Sequence, residues 1–265
     1  MSVYDINGNA LDSVYSVSED ALDQCFDIDG NVVFESGPGF FDATVVTNKY
    51  TSSITSQPQG GCIDDDGNTY VCLYKSGFFR YNLVTGDTFQ TSFSGEVYGH
   101  ANGMTYNPNT EKLYLASMNS TGEVYVFDKS FNLVDTLYAR NGNGDVFTCW
   151  NIAYDRNTHR FISLGSGVIY YFDDNFDLVD TGTYSVDDWP NTRQDIETDG
   201  TYIYCLSYQP NRIAVLDTTG RQVALIGNTA FSGEPESMMY DWVNDVYYIE
   251  GKSTYYVIRQ VIFKE

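Results

Sequence analysis

The chain has 265 residues and is strongly acidic, with 14 Lys and Arg residues against 36 Asp and Glu residues and a formal net charge of −22. This balance argues against binding to nucleic acid or to anionic membranes, because both interactions need clustered Lys and Arg side chains. The sequence has no apolar run of about 18 residues, so it predicts no membrane insertion. It begins without a basic or apolar signal region, so we expect synthesis in a cytoplasm.

Many of the uncharged residues are of types that favour β-strands. Hydrophobic residues make up 42% of the chain and aromatic residues 16%, which is enough to build a buried core. Tyr, Phe, Val, Ile and Thr favour strands, and no 11-residue window shows a helical period. The composition therefore predicts an all-β fold.

Residues 3–34 repeat with a period of 11 residues, reading VYDINGNALDS, VYSVSEDALDQ and CFDIDGNVVFE. The dipeptides Asn7-Gly8 and Asp29-Gly30 are typical of tight turns, so each unit is predicted to be a strand, a turn and a strand. One unit cannot bury its own apolar face, so such repeats stack on each other or on neighbouring chains. We predict that residues 1–39 dock to a larger assembly or form a homo-oligomer; the alternative is a leader that packs on the main domain.

A longer repeat of about 44 residues begins near residue 58, with four strand signals in each unit. The turns that mark it are Asp66-Gly67, Asn107-Pro108, Asp155-Arg156, Asp199-Gly200 and Asp241-Trp242. The second strand signal of each unit, such as YVCLY or IYCLS, is apolar nearly throughout, as expected for strands packed between other sheets. This spacing is typical of propeller blades.

The fifth unit has no fourth strand signal of its own, because the chain ends within its third strand. The segment ATVVT at residues 43–47 can supply the missing strand. An open ring would leave two long unpaired edges, which closure through both ends removes. We therefore predict a five-bladed β-propeller over residues 40–265, closed by an N-terminal strand and preceded by the short β-repeat segment.

Two resemblances accompany this pattern. The segment CIDDDGNTYVCLYKSGFFRYN resembles NHL-type propeller repeats, and HANGMTYNPNTEKLYLAS resembles the same kind of blade. That likeness implies the fold and leaves the function open, since propellers host many functions. The leader units YDINGN and FDIDGN, followed by acidic Tyr-rich blades, resemble phage and prophage tail-associated or surface-binding proteins of gut bacteria. This second likeness implies a virion-associated attachment protein.

The candidate site lies where the innermost strands begin, at the mouth of the central channel. Counting back from each marker turn gives an unusually polar set that suits a small-ligand or glycan pocket. Its members are His100, Asn102, Trp150, Asn151, Arg193, Gln194, Asp195, Glu234 and Glu236. Trp150 would stack on a sugar face while the amides and carboxylates form hydrogen bonds. The alternative is a channel that is polar only because water fills it.

Carboxylates in this set allow two further chemistries. Asp195 and Glu236 are the pair that a glycoside hydrolase would use as acid and base, and they are also the oxygen donors that calcium would take. No other cofactor is expected. Cys62, which falls in the channel column, is predicted to be a buried structural thiol, and the acidic run Asp64-Asp65-Asp66 is predicted to be a solvated turn.

We therefore predict a non-enzymatic binding module that presents the propeller to a cell-surface glycan or protein. The alternatives are a glycoside hydrolase-like enzyme and a purely structural virion component. Tyr-rich segments between strands favour the first, because Tyr gives contact area at a low entropic cost.

Overall fold

The computed structural model describes residues 3–4, 10–11, 24–26, 32–35, 39–52, 54, 56–92, 100–118, 122–186, 193–209, 211–227, 233–252 and 256–264. Every regular element among these residues is a strand, which confirms the all-β prediction. No helix in the described part of the chain is long and apolar enough to cross a membrane.

The N-terminal repeat contributes two short antiparallel hairpins. The first pairs β1 (Val3–Tyr4) with β2 (Ala10–Leu11), and the second pairs β3 (Gln24–Phe26) with β4 (Val32–Glu35). The first and third repeat units thus have the strand pairs that their sequences predict. The second unit and the turns Asn7-Gly8 and Asp29-Gly30 lie outside the described residues, and the docking role of this segment stays a prediction.

Three antiparallel sheets of four strands follow in chain order, each made of consecutive strands. Unit one comprises β6 (Pro58–Ile63), β7 (Asn68–Leu73), β8 (Gly77–Asn82) and β9 (Thr88–Ser92). Unit two comprises β10 (Ala101–Asn107), β11 (Lys112–Ser117), β12 (Glu123–Phe127) and β13 (Leu133–Tyr138). Unit three comprises β14 (Ala153–Asp155), β15 (Arg160–Leu164), β16 (Val168–Phe172) and β17 (Leu178–Thr183).

The remaining strands form one sheet of eight. Unit four comprises β18 (Arg193–Thr198), β19 (Tyr202–Ser207), β20 (Arg212–Asp217) and β21 (Gln222–Gly227). Unit five comprises β22 (Glu234–Asp241), β23 (Val246–Lys252), β24 (Tyr256–Lys264) and the N-terminal β5 (Gly39–Ser52). Strand β5 pairs antiparallel with β24, with Ala43 opposite Phe263 and Thr47 opposite Gln260. Residues 43–47 therefore pair with the carboxyl-terminal strand, as their sequence predicts.

The sheet count differs from the five separate blades that the sequence predicts. Hydrogen bonding gives four sheets of four or more strands among the described residues, because units four and five are joined. The joint is a short parallel pairing in which the start of β5, from Gly39 to Asp42, lies beside Ala224 to Gly227 of β21. The fold is thus all-β and propeller-like, with one sheet that is twice as wide as the others.

Apolar side chains pack between consecutive units. Five clusters of buried residues fill the spaces between units one and two, two and three, three and four, four and five, and five and one. The first strands also contact one another in a ring, from β6 through β10, β14 and β18 to β22 and back to β6. The fourth strands β9, β13 and β17 lie mostly exposed at the outside. The first strands are therefore the innermost strands of the ring, and the fourth strands of units one to three lie at its outside.

The turn after each first strand has the same side-chain hydrogen bond. In every unit, an Asp or Asn Oδ1 atom accepts a hydrogen bond from the backbone nitrogen two residues later, which is an Asx turn. These residues are Asp64, Asn107, Asp155, Asp199 and Asp241. The acidic run at residues 64–66 differs from its prediction, because Asp64 is buried and pairs with Lys129 at 3.0 Å.

Candidate functional site

A pocket of about 350 Å³ lies where the first strands begin. Its lining residues are Gln57, Gln59, Tyr74, His100, Asn102, Met118, Trp150, Asn151, Gln194, Glu234 and Glu236. Side chains from all five units therefore converge on one cavity that is polar inside and aromatic at its rim.

A β-bulge brings four of these side chains into the pocket. In β6, β10, β18 and β22 the pairing register with the second strand skips one residue, and the skipped residue lines the pocket each time. The skipped residues are Gln59, Asn102, Gln194 and Glu236. A bulge turns one side chain out of the strand's alternation, and bulges are common beside functional sites. The local irregularity of each first strand thus builds the site.

Most of the predicted site residues come together in this pocket. His100, Asn102, Trp150, Asn151, Gln194, Glu234 and Glu236 line it. Asp195 is buried and does not line the pocket. The backbone of Arg193 pairs with Ser207 in the sheet, and the Arg193 side chain lies outside the described structure.

Sequence reasoning missed four lining residues: Gln57, Gln59, Tyr74 and Met118. The predicted set omits Gln59 because its positions are counted back from the marker turn Asp66-Gly67 in unit one. The Asx turn that matches those of the other units starts at Asp64 instead. Counting back five positions from Asp64 gives Gln59, just as it gives Asn102 from Asn107. The correct marker was therefore present in the sequence. Tyr74 and Met118 follow second strands and carry no comparable signal.

Amide side chains hold the two pocket carboxylates. Gln57 Nε2 donates to Glu234 Oε2 at 2.9 Å and also to Glu236 Oε1. Gln194 Nε2 donates to Glu234 Oε1 at 2.7 Å. Gln59 Nε2 donates to the Pro58 carbonyl oxygen at 3.0 Å and lies 3.4 Å from Glu236 Oε2. The carboxylates thus share one wall of the pocket and one bridging donor.

Burial changes the protonation of Glu236. Desolvation, together with the nearby Glu234 and Glu250 carboxylates, raises the pKa of Glu236 to about 9, against the hydrogen bond from Gln57. Burial therefore disfavours the charged form of the Glu236 carboxyl. The His100 pKa is lowered by burial and by Lys75, against the opposing effect of Glu234. The pocket thus holds, among its amides, a carboxyl group with a raised pKa.

The rim of the pocket is aromatic. Trp150 is 47% exposed and Tyr74 is 39% exposed, so both present ring surface to solvent. The Tyr74 and His100 rings meet edge to face at 5.6 Å between centroids. Asn151 is held by the protein itself, since its Oδ1 accepts from the Leu164 backbone nitrogen at 2.7 Å. The exposed ring of Trp150 is therefore available for ligand contact, whereas the Asn151 side-chain oxygen is already used within the protein.

Asp195 and Glu236 do not face one cavity. Asp195 Oδ2 lies 2.8 Å from Ser237 Oγ and accepts from the Met238 backbone nitrogen at 3.3 Å. Burial raises the pKa of Asp195 well above its usual range. Within the described residues, no group of three or more His, Cys, Asp and Glu side chains is placed to hold a metal ion. Asp195 and Glu236 alone do not fit calcium, which takes about six to eight oxygen ligands.

Four cysteine side chains are buried. Cys62, Cys72, Cys149 and Cys205 are thiols in the interior, so Cys62 is buried as predicted. Desolvation raises the pKa of Cys149 to about 11, and it also raises the pKa of Cys62 well above its usual value. His159 is exposed in the turn between β14 and β15.

No protein-family model and no curated protein matches this chain. Among solved structures, the chain is similar to the crystal structure of glutaminyl cyclase from Myxococcus xanthus, with a TM-score of 0.69 and 14% sequence identity. The match covers 86% of this chain and 98% of that one. At this identity the likeness supports the propeller-like fold alone.

Proposed function

We propose that this chain is a binding module that takes a small polar ligand, such as the end of a cell-surface glycan, in the pocket at the mouth of the channel. The observation that carries the proposal is the set of four bulges that turn Gln59, Asn102, Gln194 and Glu236 into one cavity. A channel that was polar only for hydration would need no repeated bulge at the same place.

The chemistry of the pocket suits a polyhydroxylated ligand. Amide and carboxyl groups both donate and accept, so they match hydroxyl groups that do the same. Trp150 offers a half-exposed indole face on which a sugar ring can stack. The cavity of about 350 Å³ has the size of a small-molecule site.

A glycan array tests this function. We expect the full chain to bind a limited set of glycans and Trp150→Ala to weaken that binding at least about ten-fold, because it removes the stacking surface. Tyr202→Ala is the matched control, since Tyr202 is also exposed but does not line the pocket. Glycan binding that Trp150→Ala leaves unchanged would contradict the proposal.

The second candidate function is an enzyme that uses Glu236 as a proton donor. Its support is the raised pKa of the Glu236 carboxyl in the pocket, together with the structural likeness to an enzyme named glutaminyl cyclase. The arrangement of Asp195 does not favour the glycoside hydrolase pair, because that side chain lies outside the pocket. We would assay reducing-sugar release and cyclisation of peptides with N-terminal glutamine. Turnover by the wild type that Glu236→Gln abolishes would favour the enzyme.

We also propose that the ring has five blades, with the eight-stranded sheet counted as two blades joined at their outer strands. Five apolar clusters between consecutive units and five equivalent Asx turns support this count. A crystal structure with any other number of first strands around the channel would contradict it.

Residues 1–39 are proposed to attach the propeller to a larger assembly, such as a virion, or to a second copy of the chain. The support is the 11-residue repeat and its two hairpins. Size-exclusion chromatography of the full chain against residues 40–265 tests self-association. An unchanged oligomeric state would contradict attachment to a second copy of the chain and would leave only attachment to a different assembly.

A further inference from the structure

We propose that Glu234, Glu236 and Gln59 form a subsite for the primary ammonium group of a ligand, and that the Gln57 side-chain amide fills this subsite in the free protein. The inference rests on the proposed function, because it assumes that the pocket takes a ligand. It goes further by naming the charged group that the ligand carries.

The first argument is the number of acceptors. A primary ammonium has three N–H donors and no acceptor, so it needs three acceptors around one point. Glu234 and Glu236 supply two, and both already accept from the single nitrogen of Gln57. The two carboxyl groups are thus arranged around one donor nitrogen.

The second argument is a buried oxygen of Gln59. Gln59 is only 6% exposed and lines the pocket, and among the described residues its Oε1 atom has no hydrogen-bond partner. The orientation of this amide is fixed, because its Nε2 faces the Pro58 carbonyl and Glu236, which are both acceptors. A buried acceptor without a donor costs free energy, so its presence in the pocket wall indicates a donor that arrives with a ligand.

The third argument is the place of Gln57. An amide nitrogen has two N–H donors, and Gln57 uses its nitrogen to bridge the two carboxyl groups. Gln57 precedes β6 and is only partly buried, and its backbone carbonyl oxygen accepts from the Tyr74 backbone nitrogen at 2.7 Å. Its side-chain amide can therefore be displaced while the backbone stays in place. An ammonium brings a third donor for Gln59 Oε1 and a positive charge, and it therefore satisfies the subsite more fully than Gln57 does.

The test uses benzylamine, which joins a primary ammonium to a ring that can stack on Trp150, and benzyl alcohol as its neutral counterpart. Both are titrated into the full chain at pH 7 by ligand-observed NMR. We expect saturable binding of benzylamine and binding of benzyl alcohol that is about ten-fold weaker or absent. The double variant Glu234→Gln/Glu236→Gln should abolish this preference. Gln57→Ala should tighten benzylamine binding several-fold, because the competing donor is gone.

Two control variants show whether a change in benzylamine binding comes from the pocket itself or from a general effect of lost charge or lost folding. Glu111→Gln removes one exposed carboxylate outside the pocket, and Gln90→Ala removes an exposed amide from the outer strand β9. Neither should change the titration. Equal affinity for the two probes, no binding of benzylamine, or weaker binding to Gln57→Ala would each overturn the subsite. The glycan array reports separately on the proposed function, so an array that fails does not decide the benzylamine result.

Discussion

The Lys129 ammonium lies 3.0 Å from the carboxylate of Asp64, whose side chain has no solvent exposure. Lys129 comes from the turn between β12 and β13 of unit two, and Asp64 follows β6 of unit one. Asp64 also accepts from the Asn68 backbone nitrogen and from the Tyr70 hydroxyl. Burial opposes ionisation of Asp64, but these hydrogen bonds and Lys129 lower its pKa. One buried carboxylate thus ties two neighbouring units together.

Replacing Lys129 with Met should destabilise the ring. The variant leaves the Asp64 carboxylate buried without its cation, and we expect a loss of about 2 kcal/mol in the free energy of unfolding. Urea denaturation followed by far-UV circular dichroism measures it. Arg221→Met is the control, because Arg221 pairs with Asp217 while 76% exposed, and it should cost less than about 0.5 kcal/mol. Equal losses for the two variants would contradict the role of the buried pair.

The Asp64 pair also shows where sequence reasoning succeeds and where it stops. Repeat spacing and apolar strand patterns predict the order of strands in every unit, since both follow from local residue types. The Asp64-Asp65-Asp66 run predicts a solvated turn, because three adjacent carboxylates are rarely buried. Its partners, Lys129 and Arg156, come from two other units. Their proximity depends on the packing of the ring, which no local pattern encodes.

The joining of units four and five into one eight-stranded sheet also depends on the packing of the ring, so local sequence patterns do not predict it. The closing strand at residues 43–47 could be predicted, since a missing fourth strand and a spare strand-like segment are both visible in the sequence. The parallel pairing of Gly39 to Asp42 with β21 could not, because it depends on where β5 begins in space. The Asx-turn residues mark the positions of Gln59 and its equivalents, five residues upstream, but only the strand register shows that these positions are bulges.

Gly103 makes a close approach that an added methyl group would block. A Cβ atom at this position would lie 2.6 Å from the Ile152 backbone nitrogen, where units two and three meet beside the channel. We expect Gly103→Ala to cost about 3 kcal/mol or more, because backbone atoms would have to move. Thermal unfolding measures the loss. Gly142→Ala should be nearly neutral, since a Cβ atom there meets no atom of the described residues within 4 Å. A stable Gly103→Ala variant would mean that the inner strands lie further apart.

Glu197 gives a prediction for pH. Desolvation raises the pKa of this buried side chain to about 8, against the hydrogen bond from the Thr198 backbone nitrogen and the charge of Arg156. Its ordinary pKa is about 4.3, so between these values the folded state binds more protons than the unfolded state. The stability that Glu197 contributes is therefore complete below about pH 4 and decreases as pH rises towards 8.

Glu197→Gln should remove this dependence. The free energy of unfolding of the wild type should fall more steeply with pH between about 5 and 8 than that of the variant, by up to about 1.4 kcal/mol per pH unit. Parallel slopes for the two proteins would show that Glu197 ionises normally in the folded state. The exposed Glu111→Gln variant should follow the wild type throughout.

Removal of the closing strand tests the ring more directly than any point substitution. Deleting residues 1–35 should leave the melting temperature within a few degrees of that of the full chain, because β5 (Gly39–Ser52) keeps its pairing with β24. Deleting residues 1–47 removes Ala43 to Thr47 from that pairing and exposes the edge of β24. We expect this shorter chain to melt at least about 10 °C lower or to aggregate, since loss of several kcal/mol lowers the melting temperature by that order. Calorimetry and light scattering of both deletions measure the difference. Identical melting of the two would contradict closure of the ring by the N-terminal strand.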